Sequence, residues 1–183
     1  MISSPNFAVV GHPNKGKSSI VATLSQNDAI AIALEPGTTR SSNSYPLRVD
    51  GETLYTLIDT PGFQRPRRVL EWLKAHSVSA SDHAETLSAF VVQHKDDKRF
   101  TDECELLTPL IQGAGIIYVV DGSVPYSAEH EAEMTILRWS GRPSLALINT
   151  IGSEDYSDTW QAALGQFFQV VRKFDAVYAP FKQ

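Results

Sequence analysis

Gly11-His12-Pro13-Asn14-Lys15-Gly16-Lys17-Ser18 satisfies the pattern G-x-x-x-x-G-K-[ST] at every fixed position. Such a loop turns consecutive backbone N–H groups inward, and the helix that follows adds the positive end of its dipole. The group that fits is a polyphosphate. In that chemistry Lys17 reaches the terminal phosphates and Ser18 ligates Mg²⁺. Asn14, Lys15, Gly16 and Ser19 supply the remaining contacts to the phosphates. A glycine-rich turn without chemical meaning is the alternative, and the flanking residues decide between the two. Phe7-Ala8-Val9-Val10 reads as a buried strand and Ser19-Ile20-Val21-Ala22-Thr23-Leu24 as the first turns of a helix, the order that a working phosphate loop needs.

Two further segments fit the same chemistry. Asp59-Thr60-Pro61-Gly62 stands directly after a strand-like run, where a carboxylate can hold Mg²⁺ through water and the Gly62 N–H can meet a γ-phosphate. Thr39 lies in a polar, turn-rich stretch, Asp28 to Ser44, centred on Glu35-Pro36-Gly37-Thr38-Thr39-Arg40. A hydroxyl there completes the Mg²⁺ shell only when a γ-phosphate is present, which makes the loop a sensor.

The elements that must position these residues alternate between strand and helix, which predicts an α/β fold: a mostly parallel sheet covered on both faces. A helix is expected from Lys17 to about Gln26. Tyr45 to Val49 and Thr53 to Ile58 read as strands joined by Asp50-Gly51, an antiparallel hairpin. Gly115 to Val120 is a near-continuous apolar run ending in Asp121-Gly122, the mark of a central parallel strand. Ser127 to Trp139 reads as a helix stopped by Gly141, and Ser144 to Ile148 as a buried strand ending at Asn149. An amphipathic helix is expected over Ser157 to Lys173, with Trp160, Leu164, Phe167 or Phe168, and Val171 as plain core, and a last strand over Phe174 to Tyr178. The least regular zone is Gln64 to Gly113. It holds a short helix at Val69 to His76, a solvated charge run from His94 to Arg99, and a helix from Asp102 to Gln112 opened by an Asp102/Glu105 capping box.

The bulk properties exclude several classes. The chain has 183 residues, enough for one domain with a sizeable core. The net charge of −5 argues against a broad nucleic-acid-binding face, leaving only the small basic cluster of Arg65, Arg67 and Arg68. The single cysteine, Cys104, permits no internal disulfide and reads as inert packing. Residues Met1 to Pro5 carry no leader pattern, and no stretch approaches the ~18 apolar residues of a membrane span. The expectation is a cytoplasmic chain, with peripheral membrane attachment through some further segment left open.

In order and spacing, G-x-P-N-x-G-K-S, P-G-T-T-R and D-T-P-G resemble the Era/TrmE/EngA branch of the translation-factor-related GTPases, across almost the whole chain. The stretch after Gly62, through Arg99-Phe100 and Leu147-Ile148-Asn149, resembles one bacterial group in which such a domain precedes a larger C-terminal domain. The resemblance implies a three-layer, Ras-like G domain with six strands, an extended second switch, and GTP/GDP and Mg²⁺ as ligands. It implies catalytic or transition-state roles for Lys17, Asn14, Thr39 and Gly62, and Mg²⁺ ligation by Ser18, Thr39 and Asp59. Asn14 matches the asparagine that helps hold K⁺ in potassium-dependent relatives; simple stabilisation of the loop turn is the other role open to it. Lys15 would compete with that ion if its side chain turned inward. Phe63 stands where small signalling relatives place a water-orienting glutamine, and it can neither donate nor accept a hydrogen bond. Slow hydrolysis is the expectation. In this fold a final helix follows the last motif. The chain stops at Gln183, so residues 1–183 read as a single domain of a longer protein. The extra residues after Gly62 would form a surface for a protein partner or a C-terminal domain.

The base-reading motif departs from the family. N-K-x-D is here Asn149-Thr150-Ile151-Gly152. Asn149 is kept, but the lysine that packs on the base and the aspartate that pairs with guanine N1 and N2 are gone. Losing that carboxylate costs discrimination against adenine. Asp155 either replaces it on a remodelled loop or caps the following turn. The last family motif corresponds loosely to Tyr178-Ala179-Pro180, where the Ala179 N–H would meet guanine O6. Three functions therefore compete: a switch that hydrolyses GTP, a nucleotide-binding scaffold with little hydrolysis or relaxed base choice, and a phosphate-loop kinase. The kinase reading lacks a lid with paired arginines.

Overall fold

The computed structural model describes residues 4–25 and 41–174. Their elements are β1 (Asn6–Gly11), α1 (Lys17–Ser25), β2 (Asn43–Val49), β3 (Glu52–Asp59), α2 (Pro66–His76), a short 3₁₀ turn (Ala80–Asp82), α3 (His83–His94), α4 (Thr101–Ile111), β4 (Gly115–Asp121), α5 (Ala128–Trp139), β5 (Ser144–Asn149), α6 (Ser157–Leu164) and β6 (Val170–Phe174). The six strands form one sheet in the order β2-β3-β1-β4-β5-β6. All neighbours are parallel except β2 and β3, which form the expected hairpin. Its two turn residues, Asp50 and Gly51, have φ of 51° and 85°, as a type I′ turn requires.

Alternation along the central strands builds the layers. Ala8 and Val10 of β1, Ile116, Tyr118 and Val120 of β4, and Ala146 and Ile148 of β5 face one core with residues of α2 to α6. Val9, Ile117, Val119 and Leu147 face the other, which α1 covers with Ile20 and Val21. Every residue of β4 is buried, as its unbroken apolar run predicts. Parallel pairing also brings the strand ends that carry chemistry to one edge. Val9 pairs with Asp59, Gly11 with Val119, and Asp121 with Asn149.

Several expectations need correction. The helix read over Ser157 to Lys173 ends at Leu164. Gly165 caps it through Gln161 O, and Phe167 and Phe168 both donate to Leu164 O as the chain turns. Trp160 and Leu164 are helical core, but Phe168 reaches the same core from the turn, stacking on Tyr118 at 5.4 Å between ring centroids. Spacing alone made turn and strand look like two more helical turns. A strand runs over Val170–Phe174, opened by the β-branched pair Val170-Val171; of the strand expected over Phe174 to Tyr178, everything past Phe174 lies outside the described residues. Tyr178-Ala179-Pro180 likewise lies outside the described residues.

The zone from Gln64 to Gly113 is mostly helical, and it contains α3, which the sequence reading lacked. Leu87 and Phe90 of α3 enter the core, while Val92 stays exposed on the same helix, so no clean apolar stripe marks it. The Asp102/Glu105 capping box does not form. α4 begins one residue earlier, and the Cys104 N–H closes on Phe100 O. Cys104 itself is buried with its thiol pushed up to about 11, first by desolvation, in keeping with a packing role. The basic cluster is engaged locally. Arg65 donates to Arg99 O, Arg67 lies 3.8 Å from Glu129, and Arg68 3.3 Å from Glu71. No helix among the described residues is long and apolar enough to cross a membrane.

Candidate functional site

The site assembles where β1 gives way to α1. The loop between them is held in shape by Asn14 at φ 60° and Gly16 at φ 80°. Gly16 suits the left-handed φ that a side chain disfavours, and a Cβ there would also displace the Asn149 amide. The first helical bond, from Ile20 N–H to Gly16 O at 2.9 Å, fixes the helix start directly behind the loop. Lys17 is 7 % exposed, and its ammonium donates to the His12 carbonyl at 2.9 Å, lying back across the loop. Burial lowers its pKa to about 8, against the pull of Asp59 and Glu133.

β3 delivers the second half. The Ser18 hydroxyl donates to Asp59 Oδ2 at 2.7 Å, and Asp59 is fully buried. Thr60 Oγ1 donates to Val9 O at 2.8 Å, and the Phe63 N–H donates to Gly11 O at 3.1 Å. Gly62 sits so close to the loop that a Cβ would lie 2.5 Å from Pro13 N. Phe63 is fully buried in the main core, which removes it from any role with water. A hydroxyl and one buried carboxylate in contact are hard oxygen donors of the kind Mg²⁺ takes when water and phosphate oxygens complete its shell. Among the described residues no cluster of three or more His, Cys, Asp or Glu could hold a metal unaided.

β4 and β5 supply the opposite end. Asn149 Nδ2 donates to Lys15 O at 3.4 Å, tying β5 to the loop. Lys15 does not turn toward Asn14; its ammonium lies 3.4 Å from Asp121 Oδ2. The other Asp121 oxygen accepts from Ser123 N–H and Oγ at 2.9 and 2.5 Å and from Ile151 N–H at 3.5 Å. Burial raises the Asp121 pKa, but the Ser123 bonds and Lys15 outweigh it and hold the carboxyl below its ordinary value. The Gly152 N–H donates to Ser123 Oγ at 3.0 Å. Asp155 accepts from the Ser157 N–H at 2.8 Å, and the Ser157 hydroxyl first, then this N–H, hold its carboxyl below the ordinary value. Of its two sequence readings, the capping one describes the structure.

Lys15, Gly16, Lys17, Ser18, Asp59, Gly62 and Asn149 thus come together as expected. Ser19 is exposed on the first turn of α1, where its carbonyl accepts from Thr23. Thr39 and Ala179 lie outside the described residues. Behind the loop lies a second polar layer that no sequence motif marks. Glu133, fully buried on α5, accepts from Tyr118 OH at 2.7 Å and contacts His12 Nδ1 at 2.7 Å. An acid beside Met134 on the apolar face of a helix was its sequence signal.

This fold and site define a phosphate-loop nucleoside-triphosphatase domain. The chain belongs to the family described as 50S ribosome-binding GTPase, whose model matches residues 6–150. It is 34% identical over 115 residues to GTPase Der of Mycoplasma pneumoniae, an alignment covering 62% of this chain and 25% of that protein. The chain thus spans about a quarter of the length of the first curated relatives it matches. Among solved structures it is similar to Aquifex aeolicus Era bound to GDP and AlF4⁻, with a TM-score of 0.61 at 17% identity over 96% of this chain and 52% of that one. It is also similar to NFeoB of S. thermophilus bound to GDP, AlF4⁻ and K⁺, with a TM-score of 0.52 at 16% identity over 94% of this chain and 56% of that one.

Proposed function

We propose that the chain is a nucleotide switch that binds GTP with Mg²⁺ and hydrolyses it slowly to GDP and phosphate. The observation that carries this reading is the 2.7 Å bond between Ser18 Oγ and the buried Asp59 carboxylate. It places two hard oxygen donors directly beside Lys17. Thr39, outside the described residues, would add a third oxygen. Mg²⁺ held by these residues would neutralise charge on the phosphate oxygens. Lys17 exchanges the His12 carbonyl for the terminal phosphates, and the Gly62 N–H meets the γ-phosphate. Buried Phe63 cannot orient the attacking water, which keeps turnover slow. Asn14 is the residue whose amide carbonyl would hold K⁺, the ion present in the NFeoB structure, in the place of an arginine finger. Asn149 and Lys15 would lie toward the base, and the Ala179 N–H, outside the described residues, would meet guanine O6.

Phosphate release from GTP, measured with and without Mg²⁺ in KCl and in NaCl, tests the reading. Mg²⁺-dependent release is expected, faster in KCl. No release in either salt overturns it, and equal rates in the two salts remove the potassium role of Asn14.

A second reading, relaxed base choice, is favoured by one observation. A Cβ on Gly152 would lie 2.9 Å from Ser123 Oγ, so Ser123 fills the space that a side chain from that position would use. Competition between labelled GTP and ATP decides. Equal affinities establish the relaxed reading, and preference for GTP by about a hundredfold or more excludes it.

A further inference from the structure

We propose that Glu103 is a positioning residue for hydrolysis: from α4 it fixes the backbone that follows Asp59-Thr60-Pro61-Gly62, and so holds the Gly62 N–H against the phosphate loop. The proposal rests on the hydrolysis reading above. Glu103 is fully buried, and its Oε1 accepts from the N–H groups of Gln64 at 3.0 Å and Arg65 at 2.6 Å. Its other oxygen is buried with no hydrogen-bond partner among the described residues. Desolvation raises its pKa, against the pull of the backbone N–H groups.

The charge has a local reason to be there. α2 begins at Pro66 with no acid in its first turn and no side-chain cap, and Arg67 and Arg68 stand there instead. A carboxylate at that positive end stabilises the helix. A serine or asparagine on α2 would cap it with far less desolvation. The acid instead comes from a helix 38 positions further along, which makes it a tether between two elements. Before Gln64 the segment is held by Thr60 to Val9 O, by Phe63 N–H to Gly11 O and by the buried Phe63 ring. Gln64 and Arg65 are the anchors on the far side of Gly62-Phe63.

The same helix reaches the chain that enters β2. Glu105 Oε2 accepts from the Ser42 N–H at 3.3 Å, and the Glu105 carbonyl accepts from Ser42 Oγ at 3.0 Å. α4 therefore holds Ser42 as well as Gln64 and Arg65, the residues that follow the two segments assigned to γ-phosphate sensing in the proposed function.

The test compares GTP turnover by the unaltered chain, Glu103→Ala and Glu103→Gln. Misplacing a group that acts on the reacting phosphate by up to about 1 Å lowers kcat by up to about 100-fold. That loss is expected for Glu103→Ala, with KM for GTP changed by less than about threefold. Glu103→Gln keeps a carbonyl acceptor for both N–H groups and is expected to restore kcat to within about threefold. A fall in KM and kcat together, or no rescue by glutamine in a folded variant, overturns the proposal. Hydrogen exchange of the Gln64 and Arg65 amides in the unaltered chain is a second measurement, independent of how the variants fold. Protection is expected, and free exchange overturns the tether. If the unaltered chain releases no phosphate, the hydrolysis reading fails and the kinetic role of Glu103 fails with it, whereas free exchange beside normal turnover defeats the Glu103 proposal alone.

Discussion

Raising the pH should weaken nucleotide binding and, over a neighbouring range, stabilise the nucleotide-free protein. Both effects come from Lys17. Its pKa falls from 10.5 to about 8 because the ammonium is buried, with Asp59 and Glu133 only partly offsetting the desolvation. At pH 7 about nine-tenths of the chains carry the charge, and at pH 9 about one-tenth. Phosphate binding needs the ammonium, so affinity for GDP should fall by about tenfold, or about 1.4 kcal/mol, between those values. The sign for stability is opposite. The unfolded chain holds the Lys17 proton up to its ordinary value of 10.5 and the folded chain releases it near 8, so more protons are bound unfolded in that window and stability rises with pH across it. The drop from 10.5 to about 8 gives Lys17 a contribution of about 3 kcal/mol over the whole window, about 2 of it between pH 8 and 10; the Cys104 thiol, pushed up to about 11, works in the opposite direction there, so the Lys17 effect is read as the difference from Lys17→Arg. Fluorescence titration with labelled GDP from pH 7 to 9, beside denaturant unfolding from pH 8 to 10, measures the pair. Lys17→Arg keeps its charge throughout and should flatten the affinity curve and remove the Lys17 part of the stability gain. Affinity that is level from pH 7 to 9, or a Lys17→Arg variant with the same slope as the unaltered chain, would refute the reasoning.

Trp160→Ala removes a fully buried indole and its bond to Val124 O, and should cost about 3–5 kcal/mol in urea unfolding. Gly62→Ala places a methyl 2.5 Å from Pro13 N. It should abolish measurable turnover while leaving GDP binding within about threefold, read by phosphate release and titration. Asp155→Ala should leave the GTP-to-ATP affinity ratio unchanged and lower the urea midpoint slightly through loss of the bond to the Ser157 N–H; a changed ratio would return Asp155 to the base site.

The phosphate end was legible because its chemistry is local. Gly11 to Ser18 carry their own loop conformation, and Asp59 follows its strand directly, so pattern and element order were enough to bring Ser18 and Asp59 together. The Asp50-Gly51 hairpin and the β4 run were legible for the same reason. What stayed hidden depends on partners far apart in sequence. Glu103 reaches Gln64 and Arg65 only because α3 folds the intervening chain back on itself, and α3 lacks a clean apolar stripe. Glu133 meets His12 across 121 positions. The capping box failed because Glu105 had a tertiary partner in Ser42, and the over-long last helix because residues in a helix, a turn and a strand fed one core at helical spacing.

The two ends of the site differ in how much freedom their residues have left. At the phosphate end each polar group is held by a contact that a nucleotide can replace in kind: the His12 carbonyl stands in for a phosphate oxygen at Lys17, and the Ser18 hydroxyl stands at Asp59 where an ion's charge would lie. At the base end the contacts close on themselves. Asp121 binds Lys15, Ser123 and Ile151, Ser123 binds Gly152, and Asp155 binds Ser157. Among the described residues, a base entering there would meet a half-exposed Ile151 and the Asn149 amide rather than an unengaged carboxylate. Affinity in such a site comes mainly from the phosphates, which every nucleoside triphosphate shares. Selectivity for guanine therefore requires either that Asp121 leave Lys15 and Ser123, or that donors and acceptors come from outside the described residues.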